Sequence, residues 1–289
     1  MELKYLDRAE LCAEAQAVVR RVYSEMSGKS DFIALCEHID KGGSFTELRR
    51  MIDECAEKHG QNVYELRNTV YMASLESARK NYIKNGIEEM FFEGLSDFGT
   101  KTEECFKVCG VYGSRSVEWF APFFTGERYT FGRLQYQSSP FWYEDYERDG
   151  VVLKVHEPVW NIHIPSRGKL TPESVEESLK AAYKGLPRRE DGKQAFVCST
   201  WFFYPAYQGT VFPVGSNIYK FAQLFDIISV ADSETFKDCW RIFSVEQITD
   251  IDALPQETSI QRRFVEYLKA GGKCGTAAGV VLLDENGII

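Results

Sequence analysis

Apolar side chains recur at three- and four-residue spacing through roughly the first 110 residues, the period of a buried helix face. Leu11, Ala15, Val18, Val19 and Val22 share one such face. Ser44-Phe-Thr-Glu47 has the form of a capping box, in which hydroxyl and carboxylate each satisfy an end amide. The helix it opens should stop near Gly60, and Asn62 is placed to cap another whose buried face is Leu66, Val70, Leu75 and Ala78, ending by Gly86. Nothing in this half resembles a chemical site; its pattern is that of packing.

The pattern changes at about residues 109–119. From 119 to 146 aromatic residues crowd together, among them Trp119, Phe120, Phe123, Phe124, Tyr136 and Tyr146, and with turn residues between them they predict strands. A turn at 147–150 and a strand at 151–155 follow. Beyond them elements alternate: a strand at 159–164, a helix at 172–184, a strand at 194–203, a short helix at 216–225 and strands at 226–230 and 240–245. An amphipathic helix at 259–270, through Ile260, Phe264 and Leu268, leads to Gly271 as C-cap and a last strand at 279–283. The reading is an α+β chain with a helical domain over 1–115 and a strand-rich domain over 116–289.

Composition adjusts this picture only at its edges. With 44% hydrophobic and 27% charged residues, the 289-residue chain is ordinary globular material, long enough for two cores. A net charge of −9 repels phosphate backbones, and no basic stripe offsets it, so no nucleic-acid partner is expected. The opening residues lack a signal-peptide apolar core and no run is long enough to span a bilayer. The expected address is therefore the cytoplasm, without a membrane partner, and the eight cysteines are expected as thiols rather than a disulfide framework.

Candidate chemistry gathers at 159–184. Thr171, Pro172 and Glu173 mark a helix start: a capping hydroxyl, a residue preset for the first turn, and a carboxylate at the positive helix end. The strand before it alternates Trp160, Ile162 and Ile164 with Asn161 and His163. Between them, Ser166-Arg-Gly-Lys169 offers a glycine turn and two cations. A strand feeding such a turn into a helix N-terminus presents amides to an anion; by itself it is also an ordinary surface connection. His163 has the chemistry of a general base near neutral pH, although a strand histidine taken alone is more often structural.

The stretch His163-Ile-Pro-Ser-Arg-Gly-Lys-Leu-Thr-Pro-Glu173 resembles the opening of the GNAT-like C-terminal domain of a bacterial family of N-acyltransferases. Phe196-Val-Cys-Ser-Thr-Trp201 is similar to that family's Cys-x-Ser-Trp strand, with an extra threonine. Ser178 corresponds to its mid-helix serine, and Ser216-Asn-Ile-Tyr-Lys-Phe221 to its Ser-Asn-Ile helix. Phe131-Gly-Arg-Leu-Gln-Tyr136 resembles its Gly-Arg-Leu-Gln strand, and Thr258-Ser-Ile-Gln-Arg262 with Gly271-Gly272 its last helix and turn. The resemblance covers residues 119–289 and the helical domain that accompanies it.

It implies a mixed, mostly antiparallel GNAT-type sheet, acyl-coenzyme A as donor, and an amine of a small molecule or peptide as acceptor. It places the donor's pyrophosphate on the loop of Ser166, Arg167, Gly168, Lys169, Leu170 and Thr171. That loop departs from the usual GNAT pattern in having Gly168 as its sole glycine. Three side chains are catalytic candidates: His163 as base, Tyr219 as acid toward a leaving thiolate, and Cys198 as a nucleophile paired with His163. Packing explains Tyr219 at least as well, and a buried cysteine acting as a small hydrophobe is the commoner case for Cys198, since GNAT-type catalysis usually attacks the thioester directly. Cys105 and Cys109 share a helix face but make a poor metal site, and no metal is expected. Gly271-Gly-Lys-Cys-Gly275 follows a helix, so its order is wrong for a phosphate loop. The other readings are a GNAT-shaped binding protein without catalysis, a cysteine-dependent acyl hydrolase or transferase, and an interaction protein using its helical half.

Overall fold

The computed structural model describes residues 2–289. Two compact units, 1–130 and 131–289, divide the chain. The first is helical: α1 (Ala13–Met26), α2 (Ser30–Asp40), α3 (Phe45–His59), α4 (Val63–Lys84), α5 (Glu88–Gly94), α6 (Ser96–Cys109) and the single turn α7 (Ala121–Phe124). The predicted apolar faces supply its core, with Ala15, Val19, Val22, Leu66, Val70, Leu75 and Ala78 all at 0–1% exposure. The Asn62 side chain accepts from the amides of Tyr64 and Glu65 and caps α4, as expected. Gly60 closes α3 in the left-handed conformation. Ser44 does sit at the N-cap of α3, but its side chain makes no cap bond, so the expected capping box is absent.

The aromatic segment meets its predicted strands only in part: residues 128–131 and 134–140 are extended, but its beginning is not. Residues 118–124 are helical turns, and Phe120, Phe123 and Phe124 belong to the first unit's core. Phe98 stacks on Phe120 at 4.1 Å between centroids, and the Trp119 indole N–H donates to Asp97. Aromatic enrichment signals burial as much as extension, and here helix packing recruited the rings.

The second unit is a mixed sheet with one large helix against it. Its strands are β2 (Leu134–Pro140), β5 (Pro158–His163), β6 (Gln194–Thr200), β7 (Asp226–Ser233), β8 (Cys274–Asp284) and β9 (Gly287–Ile288), ordered β2-β5-β6-β8-β7 with β9 on β8; β1 (Arg128–Phe131) straddles the division between the units. β3 (Tyr146–Arg148) and β4 (Val151–Leu153) form a separate hairpin. Only β5 and β6 run parallel; every other pairing from β2 onward is antiparallel. That parallel step requires a crossover, and α8 (Pro172–Gly185) provides it. Its stripe of Val175, Leu179 and Ala182 is 0–1% exposed, each large side chain contributing about 1.5–3 kcal/mol by burial.

α9 (Asn217–Ala222) and α11 (Ser259–Lys269) lie where predicted. The strand expected at 240–245 is instead α10 (Cys239–Phe243). Cys239 and Phe243 are buried in an aromatic cluster with Phe236 and Phe264, which a single helical turn satisfies as well as a strand. No helix among the described residues is long and apolar enough to cross a membrane.

Candidate functional site

β5 is the strand from which the site is built. On one side it pairs with β2 along its whole length, from Pro140↔Pro158 to Gln135↔His163. On the other it pairs with β6 only at Trp160↔Phe196 and Asn161↔Val197. β6 nevertheless continues to Thr200, held there by β8 through Thr200↔Ala277. The C-terminal ends, Ile162–His163 and Cys198–Thr200, therefore diverge without a ladder between them. A gap in the middle of a sheet leaves backbone donors and acceptors facing it, and such groups demand a partner.

The register sorts side chains between the two faces. Tyr136, Ile162 and Phe196 lie on the α8 face, where the Tyr136 hydroxyl meets Ser178 Oγ at 2.9 Å and the Tyr136 and Phe196 rings meet at 5.5 Å. Gln137, Asn161 and His163 lie on the other face. His163 Nε2 is 3.2 Å from Gln137 Oε1 and 3.4 Å from Asn161 Nδ2, so a half-buried imidazole is oriented by two amide side chains at the open end of the sheet. Ser199 is exposed and, by the same alternation, shares that face.

Cys198 is placed differently. It alternates onto the α8 face with Phe196, is 1% exposed, and burial pushes its thiol well above the usual range. A neutral thiol turned away from His163 is not a nucleophile–base pair. Tyr219 lies in the first turn of α9, half-buried against the aromatic cluster. Its amide donates to the Ser216 cap, and no hydrogen bond joins it to His163.

The loop after β5 carries the remaining candidates. Gly168 has φ +84°, a left-handed conformation that explains a glycine there. Thr171 caps α8 as predicted, but its partner is Ser174: Thr171 Oγ1 accepts from the Ser174 amide at 3.2 Å and Ser174 Oγ from the Thr171 amide at 3.1 Å. Glu173 bonds its own backbone amide and the Thr171 hydroxyl, which holds its carboxyl below the usual range. Pro172 has no N–H. The Ser174 and Val175 amides bond back to Thr171, so an anion on this loop would draw chiefly on the amides of residues 166–170 and on nearby cations.

Two of those cations come from distant sequence. The Arg133 Nε donates to the Lys169 carbonyl at 3.1 Å. Arg241, on α10, donates to Ser166 Oγ at 3.1 Å while bonding Asp238 at 3.0 Å. Lys169 is exposed and Arg167 half-buried on the loop itself. Arg133 lay inside the Gly-Arg-Leu-Gln segment, yet nothing local in the sequence joins it to residue 169. Beside the loop, Leu170, Pro172, Val175, Phe221 and Leu224 line a cleft of about 130 Å³ with Lys220 at its rim. No group of three or more His, Cys, Asp or Glu residues among those described could hold a metal ion.

No curated protein matches the chain. Among solved structures it is similar to an acyltransferase in complex with decanoyl-CoA, at TM-score 0.72 and 20% identity over 96% of this chain and 86% of that one. An acyltransferase in complex with decanoyl-CoA and teicoplanin matches at TM-score 0.69 and 19% identity, with the same coverage. At such identities the likeness is one of fold. Residues 2–126 match the family model described as the N-acyltransferase N-terminal domain, and residues 129–281, more than half the chain, match the GNAT-like C-terminal domain. With a helical unit followed by a sheet split between β5 and β6, the chain belongs to the family defined by that GNAT-like C-terminal domain.

Proposed function

We propose that the chain transfers an acyl group from an acyl-coenzyme A thioester to an amine of a small-molecule or peptide acceptor. The observation that carries this reading is the divergence of β5 and β6 immediately before the loop at 166–171. A cleft with unpaired backbone on both walls and cations at its end suits an extended amide-rich arm terminating in a diphosphate. The similar acyltransferases were solved with decanoyl-CoA, and in one case with teicoplanin, a donor and an acceptor of the classes proposed here.

In this reading the loop amides of Ser166 to Leu170 hold the diphosphate. A backbone N–H on the diverging strands polarises the thioester carbonyl, most strongly as its oxygen becomes an oxyanion. The amine attacks that carbon, and its proton passes to His163 directly or through a water. Collapse of the tetrahedral intermediate breaks the C–S bond, and Tyr219 or water protonates the departing thiolate. No acyl-enzyme is required, which agrees with the placement of Cys198.

Thermal unfolding with coenzyme A and acetyl-coenzyme A tests the donor. A ligand at a hundred times its Kd stabilises by about 2.7 kcal/mol, a readily measured shift. No shift at millimolar concentration removes the donor assignment. Binding without thiol release across a broad panel of amines replaces the transferase reading with that of a non-catalytic binding protein.

A further inference from the structure

Arg133 is a half-buried cation whose countercharge the protein does not supply. It stands in the turn just before β2, two residues before Gln135, the partner of His163, and therefore beside the end of β5 where the anion loop begins. Its Nε holds the Lys169 carbonyl, and its side chain lies along Gly168, where a Cβ would come within 3.9 Å of Nε. Nη1 is buried and has no hydrogen-bond partner. Among the described residues no carboxylate pairs with this guanidinium, and burial alone displaces its pKa, downward.

Two other arginines of the second unit, the partly buried Arg189 and the exposed Arg241, have carboxylate partners. Arg189 meets Glu157 at 2.8 Å and Arg241 meets Asp238 at 3.0 Å. In the first unit, Arg67 has Asp53 and two backbone carbonyls. Withdrawing a guanidinium from water without an opposite charge is costly, and this one stands without a carboxylate partner at the loop where an anion is expected.

Resting on the donor reading above, we propose that Arg133 is a binding residue for the diphosphate of coenzyme A, with Nε fixing the loop through the Lys169 carbonyl and the Nη side of the fork pairing with a phosphate oxygen. Guanidinium is suited to this double task because its five donors lie in one plane, and it pairs with phosphate more strongly than an exposed lysine such as Lys169. The loop's single glycine is then less of a handicap, since a side chain rather than a second glycine-exposed amide completes the cradle.

The test compares coenzyme A with pantetheine, which lacks the diphosphate, on wild type, Arg133→Gln and Arg133→Lys. Chemical-shift titration reads Kd into the millimolar range for both ligands. Loss of a charged hydrogen bond predicts coenzyme A binding weaker by about 10- to 100-fold in Arg133→Gln, with a smaller loss in Arg133→Lys. Pantetheine binding should change less than twofold. Because the lost charge was unpaired, the melting temperature of ligand-free Arg133→Gln should equal or exceed that of wild type. Unchanged coenzyme A affinity in Arg133→Gln overturns the proposal while leaving the donor reading intact. Equal losses for both ligands, together with a lowered ligand-free melting temperature, overturn it in favour of a purely structural pin. Failure of wild type to bind coenzyme A at all removes both.

Discussion

Ser178 joins the anion loop's helix to the turn that carries Arg133, and its removal gives a worked test of how the site is held. Ser178 is 2% exposed. Its Oγ accepts from the Leu134 amide at 3.3 Å, meets the Tyr136 hydroxyl at 2.9 Å and donates to the Phe131 carbonyl. Ser178→Ala strands two buried groups, the Leu134 amide and the Tyr136 hydroxyl, and a partly buried one, the Phe131 carbonyl. Each unsatisfied group costs roughly 1–3 kcal/mol, but the Tyr136 hydroxyl is free to rotate and the small void left by one oxygen permits partial relaxation. The expected loss is about 2–4 kcal/mol, near the upper range for single substitutions.

Urea unfolding followed by tryptophan fluorescence reads this loss in the relevant unit, which contains Trp142, Trp160, Trp201 and Trp240. Tyr136→Phe removes one partner of the hub and should cost about 1 kcal/mol alone. Once Ser178 is gone that hydroxyl has little to lose, so the double variant should fall short of the summed losses by at least ~0.5 kcal/mol. A loss below ~0.5 kcal/mol in Ser178→Ala, or strict additivity of the pair, refutes the claim that this hydroxyl organises the turn.

Other outcomes follow from the same geometry. Cys198→Ala should keep acyl transfer near wild-type rate while lowering stability through a small buried void; loss of transfer in a folded variant would revive the covalent route. His163→Ala should reduce kcat by about 100-fold if imidazole takes the amine proton, and an unchanged kcat assigns that proton to water. Gly168→Ala makes only ordinary contact with the Arg133 side chain but must keep φ +84°; calorimetric titration should show weaker coenzyme A binding, with roughly 1–2 kcal/mol of backbone cost. Thr171→Ala removes the cap of α8 and should lower stability by about 1 kcal/mol in urea titration.

Local signals survived well into the structure. Asn62, Gly60 and Thr171 act within a few residues of themselves, through caps and left-handed turns, and each does what its neighbours imply. The order of strand, loop and helix over 158–185 was legible for the same reason. Trp119 and Trp240 were not. Both lie in segments rich in aromatic residues, and an aromatic ring reports that a position is buried without reporting whether the backbone beneath it is extended or helical. In each segment a short helical turn answered the demand for burial.

The site divides along the same line. What alternation along one strand can state, namely that Asn161 and His163 share a face, the sequence states. What pairing between strands decides was out of reach. Cys198 and His163 lie on neighbouring strands, so proximity alone suggested a catalytic pair; the register Asn161↔Val197 then puts Cys198 with Ile162 on the face turned to α8. A shift of one residue would have reversed that conclusion, because side chains change face at every step. On the other side of β5 a second non-local pairing, Gln135↔His163, brings Arg133 to a loop more than thirty positions away in sequence. The two registers of β5 thus weaken a nucleophile among the catalytic candidates and supply a cation to the binding candidates. Both placements favour the proposed direct attack on a bound thioester, with the proposed anion contacts from loop amides and a guanidinium, over transfer through a cysteine.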